Sequence, residues 1–169
     1  MWSMQKRIVN VIVILLVLLV NSPCFSEKPA FFRGINVNGH SIEIDGNRWQ
    51  GDQSEYFDCD NKGVTVADLD WKPEPHKNMK TMLRTFRWNS NARLRVTDVP
   101  DGTYSVWTYL LEDTESQQYD VLVEGLPALS DYVSGDAGTW NKVGPWIVEI
   151  SDGTITIFER ARTIDSCYS

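Results

Sequence analysis

The sequence predicts an all-β protein, an antiparallel β-sandwich with little helix, on three observations. Apolar and polar residues alternate in short runs, turn dipeptides separate those runs, and only one stretch has a partly helical look. Many short strands with regular turns are what two packed antiparallel sheets require.

The first elements lie in "INVNGHSIEIDGNRW", where Ile35 and Val37 lead into Asn38-Gly39 and Ile42 and Ile44 lead into Asp45-Gly46. Both dipeptides tolerate positive φ and so favour tight turns. "WKPEPHKNMKTML" is the partly helical stretch, kept short by its two prolines. "ARLRV" sets Leu94 and Val96 on one face and Arg93 and Arg95 on the other, and "VPDGTY" turns into the next strand. Thr103 to Leu111 is apolar on both faces, which predicts a central strand covered on both sides, with Trp107 and Tyr109 as core.

The next strand, "QYDVLVEG", sets Tyr119, Val121 and Val123 against Asp120 and Glu124. "SGDAGTWNKVGPW", residues 134 to 146, reads as a long glycine-rich surface loop carrying Trp140. "PWIVEI", "SDG" and "TITIF" read as a last hairpin, with Ile155 and Ile157 facing inward.

The N-terminus reads as a secretory leader. Lys6 and Arg7 precede an apolar run from Val11 to Val20, followed by Asn21, Pro23 and Cys24-Phe25-Ser26. Residues 1–26 are therefore expected to be removed, leaving 27–169 as one domain that is secreted, periplasmic or in the cell envelope. The run is short of the roughly 20 residues a membrane helix needs, so no span is expected after cleavage. Cys24 lacks the preceding residues of a lipidation signal. The formal charge of −7 becomes more negative on cleavage and disfavours a nucleic-acid surface.

Cleavage leaves Cys59 and Cys167. In an oxidising compartment such a pair forms a disulfide more often than a metal site, here closing a loop of roughly 110 residues; two separate thiols are the alternative. His40 and His76 lack the close spacing of zinc ligands. "DCDNKG" begins like a calcium loop, but Lys62 takes a ligand position and Leu69 stands where the bidentate acid belongs. No cofactor is called for, and no motif indicates calcium. The chain has no Gly-x-Ser-x-Gly elbow, His-Glu-x-x-His pair or phosphate-cradling glycine loop.

The order of "GINVNGHSIEIDGNRW", "MLRTFRWN", "VPDGTYSVWTYLLEDTESQQYDVLVEG" and "VEISDGTITI" resembles the malectin and malectin-like carbohydrate-binding family. The resemblance runs from Phe32 to about Phe158. It implies a jelly-roll, malectin-like sandwich that binds a glycan through loops at one end and performs no catalysis. Sugar recognition joins flat aromatics to hydrogen-bonding carboxylates and amides. By resemblance, Trp88 follows the Thr-x-Arg motif, Tyr56 is the preceding loop aromatic, Glu112 closes the strand before the acidic loop, and Asp165 stands for a late aspartate. Asp113, Thr114 and Glu115 depart from the aromatics that malectin carries there.

The expectation is thus a non-enzymatic carbohydrate-binding module with Tyr56, Trp88, Glu112, Asp113 and Trp140 as contacts. Arg87, beside Trp88, is expected on the opposite face in an internal salt bridge. One rival is a cell-envelope module that holds a protein partner, which requires an exposed apolar patch. Another is a small glycoside hydrolase, which requires two carboxylates at catalytic spacing in a cleft.

Overall fold

The computed structural model describes residues 30–59, 62–89 and 91–162, together with the backbone of 14–19. In chain order the strands are β1 (Ile14–Leu19), β2 (Ala30–Asn36), β3 (Ile42–Ile44), β4 (Asn47–Gly51), β5 (Phe57–Cys59) and β6 (Lys62–Thr65). The helix α1 (Lys77–Leu83) precedes β7 (Thr85–Trp88), β8 (Asn91–Val96), β9 (Gly102–Leu111) and β10 (Gln118–Val123). The chain then forms β11 (Leu126–Val133), β12 (Trp140–Ile150) and β13 (Ile155–Ala161).

A six-stranded sheet in the order β12-β9-β1-β2-β4-β3 packs on a five-stranded sheet in the order β11-β10-β13-β8-β5, and β6 and β7 form a separate pair. The protein is a β-sandwich, as the alternating patterns predict. Between the sheets lie Ile35 and Val37, Leu94 and Val96 of β8, Tyr104, Val106 and Leu110 of β9, and Ile155 and Ile157 of β13. Each strand contributes alternate residues because successive side chains point to opposite faces. β8 shows this strictly: Ala92, Leu94 and Val96 are buried, while Asn91, Arg93 and Arg95 are exposed.

β9 is buried on both faces for an identifiable reason. Its other face turns Tyr109 and Leu111 into a second cluster with Ile44 and Trp49, which Met79, Met82 and Leu83 of α1 and Phe86 of β7 cover from outside. His76 caps α1, its Nδ1 accepting from Met79 N at 3.4 Å. No described helix is long and apolar enough to cross a membrane.

Both turn dipeptides behave as expected, and three other local expectations are corrected. Asp45 and Gly46, with φ of 51° and 76°, do make the β3–β4 turn. Asn38-Gly39 also makes its expected turn, with Asn38 at φ 58°, but the strands it joins are not neighbours, because β4 lies between β2 and β3 and runs parallel to β2. The last two strands are not the expected hairpin: β12 and β13 belong to different sheets, so Ser151–Gly153 carries the chain across the sandwich.

The long loop ends at Thr139 rather than Trp146. Trp140 begins a strand paired with β9, interrupted where the register shifts between Val143 and Trp146. Gly144, at φ 119°, allows that interruption, since a Cβ there would stand 2.5 Å from Val106 O. Asp120, placed by alternation on the outer face, is buried; it accepts from Arg160 Nη2 at 2.8 Å, Arg162 Nε at 2.7 Å and Asp131 N at 3.0 Å. These three hydrogen bonds hold its carboxyl far below the usual range.

Residues 1–26 are expected to be cleaved, yet within them Ile14–Leu19 form β1 of the larger sheet. Cys59 is half-buried on β5, whereas Cys167, Cys24 and Asp165 lie outside the described residues, as does any Cys59–Cys167 bond.

Candidate functional site

A cleft of about 500 Å³ opens between the β2–β3 loop and the β4–β5 loop. The parallel pairing of β2 and β4 creates it, setting Gln50 beside Ile35 and Gly51 beside Asn36 so that both loops leave the same edge. Main-chain contacts stitch the walls: Asp52 N donates to Gly39 O at 2.9 Å, and Gly39 N donates to Asn36 O at 3.1 Å. Asn36 Nδ2 donates to His40 O at 2.7 Å, closing the turn from inside. Glycine is needed at 51, because a Cβ would lie 2.8 Å from Gly39 O and 2.9 Å from Ser41 N.

Behind the cleft, Asp52 fixes the two loops to the β6–β7 pair. Its carboxylate accepts from Asn38 N at 2.7 Å and from Arg87 through Nε at 2.9 Å and Nη2. Burial works to raise the Asp52 pKa, but the hydrogen bonds from Arg87 and Asn38 outweigh it and bring it below the usual value. Arg87 therefore holds the internal ion pair expected of it.

The residues that line the cleft are mostly polar in type, although they offer it apolar as well as polar surface. Ser41, Gln50, Gln53 and Ser54 present hydroxyl and amide groups, Arg48 and Glu55 present opposite charges, and Tyr56 supplies the aromatic ring. Ser54 Oγ donates to Gln50 Oε1 and accepts from Tyr56 N at 3.2 Å, which fixes the inner wall. The Tyr56 ring has the Arg33 guanidinium 4.4 Å from its centroid. Arg33 is itself held by the carbonyls of Thr97 at 2.6 Å and Asp98 at 3.3 Å. The Glu55 carboxylate beside the phenol raises the Tyr56 pKa. Such a lining can receive and donate hydrogen bonds around a polyhydroxylated ring while offering one aromatic surface.

The other expected contacts lie elsewhere. Arg33 and Val106 both pair with Leu16, so they share one level of the sheet; Glu112 follows six residues after Val106, about 20 Å along the strand at ~3.3 Å per residue. Tyr56, against Arg33, and Glu112 cannot share one sugar residue. Glu112 is fully buried, accepting from Ser134 Oγ at 2.7 Å, Thr114 N at 2.9 Å and Thr114 Oγ1 at 3.2 Å. Its expected role as a surface contact is corrected accordingly: it ties the acidic loop to the β11–β12 loop. Burial raises its pKa against the lowering effect of those hydrogen bonds. Asp113, next in the chain, is half-buried.

Trp140, near Glu112, is half-buried and stacks on Tyr109 with centroids 6.3 Å apart and planes at 19°. Its Nε1 donates to Pro73 O at 2.6 Å, so the ring is pinned to the segment before α1. Trp88 ends β7 opposite Lys62 and packs against the outer cluster. Trp107, expected as core, is half-buried and faces Lys142 Nζ at 5.4 Å, whereas Tyr109 is core. The sequence reading missed Ser41, Arg48, Gln50, Gln53, Ser54 and Glu55. Their signal was the density of amides, hydroxyls and charges in "RWQGDQSEY" around Tyr56.

The described residues contain no cluster of three or more His, Cys, Asp or Glu suited to a metal ion. No protein-family model matches the chain, and no curated protein matches it. Among solved structures, the chain is similar to a CBM35 module from Paenibacillus barcinonensis, with a TM-score of 0.33 and 14% identity over 62% of this chain and 80% of that one.

Proposed function

We propose that this chain is a non-catalytic carbohydrate-binding β-sandwich and that its ligand site is the cleft between the β2–β3 and β4–β5 loops. The observation that carries the proposal is the lining. Ser41, Gln50, Gln53 and Ser54, which carry hydroxyls and amides, line a space of about 500 Å³ together with Tyr56, Arg48 and Glu55. The ordered motif resemblance to malectin-like domains supports the same ligand class. The leader-like residues 1–26 support a site of action outside the cytoplasm.

The test is a glycan-array screen of the purified chain, with and without calcium, followed by titration of the best glycan against Tyr56→Ala and Gln53→Ala. Selective binding to related glycans is expected. Each substitution is expected to weaken binding about tenfold, the loss of roughly one stacking or hydrogen-bonding contact. A blank array on a folded sample refutes carbohydrate binding. Unchanged affinity in both variants refutes this cleft as the site.

A further inference from the structure

Ile14–Leu19 carry two roles that one molecule cannot combine. In the sequence they lie inside the leader-like run, so cleavage after Ser26 removes them. In the fold they are β1, an interior strand of the six-stranded sheet. Ile14–Leu18 pair antiparallel with β2, and Leu15–Leu19 pair antiparallel with β9. An edge strand leaves with one row of main-chain hydrogen bonds; this one leaves with two. Its removal would set β2 and β9 about 10 Å apart, twice the ordinary spacing, with unpaired main-chain groups facing each other.

Both walls of that gap are anchored from their far sides. β9 pairs with β12 from Gly102 to Leu111 and is packed into both apolar clusters. β2 pairs with β4, and its Arg33 reaches across to the carbonyls of Thr97 and Asp98. The segment seated between them, ILLVLL, is uncharged and aliphatic throughout.

We propose that the position between β2 and β9 is a strand-acceptor slot, filled in the processed chain by an extended aliphatic segment of another polypeptide. The occupant is defined by the strand that holds the place here: at least five uncharged residues, antiparallel to both neighbours, with a register shift against β2 like that between Leu16 and Val17. Both rows of main-chain groups must be paired, so the segment carries no internal proline. Main-chain bonding to both walls supplies affinity, and alternate side chains supply selectivity.

The test uses both pieces of the whole chain. A protease site is introduced between residues 21 and 29; the cut chain is denatured, freed of its N-terminal piece, and refolded with a fluorescent peptide carrying ILLVLL between lysines. The expected result is uptake of one peptide per chain and restoration of the uncut chain's thermal transition. The same peptide with proline in place of the residue corresponding to Leu16 is expected to be taken up at least tenfold more weakly. Absence of uptake, equal uptake of both peptides, or full recovery without peptide would each overturn the proposal.

Discussion

Replacing Gly51 by alanine tests the parallel β2–β4 contact on which the cleft depends. The added Cβ would stand 2.8 Å from Gly39 O, 2.9 Å from Ser41 N and 3.0 Å from His40 C, all main-chain atoms that no rotamer change relieves. The opposite loop must retreat by about half an ångström, a form of overpacking that costs about 1–3 kcal/mol. The retreat also strains the Asp52 N to Gly39 O hydrogen bond, worth about 1 kcal/mol. Against this stands a gain of about 0.4–1 kcal/mol from a less flexible unfolded chain. The net loss is about 2 kcal/mol, or roughly 6 °C in Tm for a domain of this size. Urea denaturation followed by circular dichroism measures it, with Gly125→Ala as a control. Nothing lies within 4 Å of a Cβ at 125, where only the positive φ of 72° adds about 1–2 kcal/mol. A Gly51→Ala variant within 0.5 kcal/mol of the parent would refute the close approach.

Glu112 has a folded pKa raised above 4.5, chiefly by burial, so its stabilising contribution is present below that value and is lost as pH rises through the folded pKa. Glu112→Gln should therefore gain stability relative to the parent between about pH 4 and pH 7; a gap that stays constant across parallel denaturation curves contradicts this. Asp120 has the opposite sign: its pKa is depressed by Arg162, Arg160 and Asp131 N, so its contribution is present above 3.8 and lost as pH falls toward the folded value. Asp120→Asn should be clearly destabilised near neutral pH, with the difference closing in acid, as thermal melts across that range would show. Tyr119 is fully buried, and its hydroxyl has no hydrogen-bond partner among the described residues. Tyr119→Phe should accordingly be neutral or up to about 1 kcal/mol more stable, and a loss above about 1 kcal/mol in urea melts would reveal a hydrogen bond at that hydroxyl.

Local alternation made much of the sandwich legible. In "ARLRV" the faces are as read, and in Thr103 to Leu111 the lack of alternation correctly marked a strand with apolar layers on both sides. What alternation cannot express is which strand lies beside which. Asn38-Gly39 turns the chain as such a dipeptide should, with Asn38 at φ 58°, but whether the next strand returns beside β2 depends on what β4 does later. Similarly, "SDG" turns the chain between β12 and β13, while the choice between a hairpin and a crossing to the other sheet belongs to the two cores being filled. Asp120 shows the same limit in electrostatic form: its burial depends on Arg160 and Arg162, which approach from another strand and the residue beyond its end.

The residue types of the candidate site were legible, but not where the fold would place them. Tyr56 lines the cleft, whereas Glu112, expected as a contact with it, serves the interior because Ser134 and Thr114 satisfy it there. An acidic loop after a central strand reads as solvent-facing, yet its first carboxylate is the one closest to the core and the one best placed to bind neighbouring loops together. Among the described residues, the side chains of Ser41, Gln50, Gln53 and Ser54 have no such partners across the sandwich; Gln50 and Ser54 spend one bond on each other, and the wall they form borders the cleft. This difference in where hydrogen-bonding capacity is consumed separates a structural carboxylate from the residues of the proposed site, and it follows from the parallel β2–β4 contact that no local sequence pattern encodes.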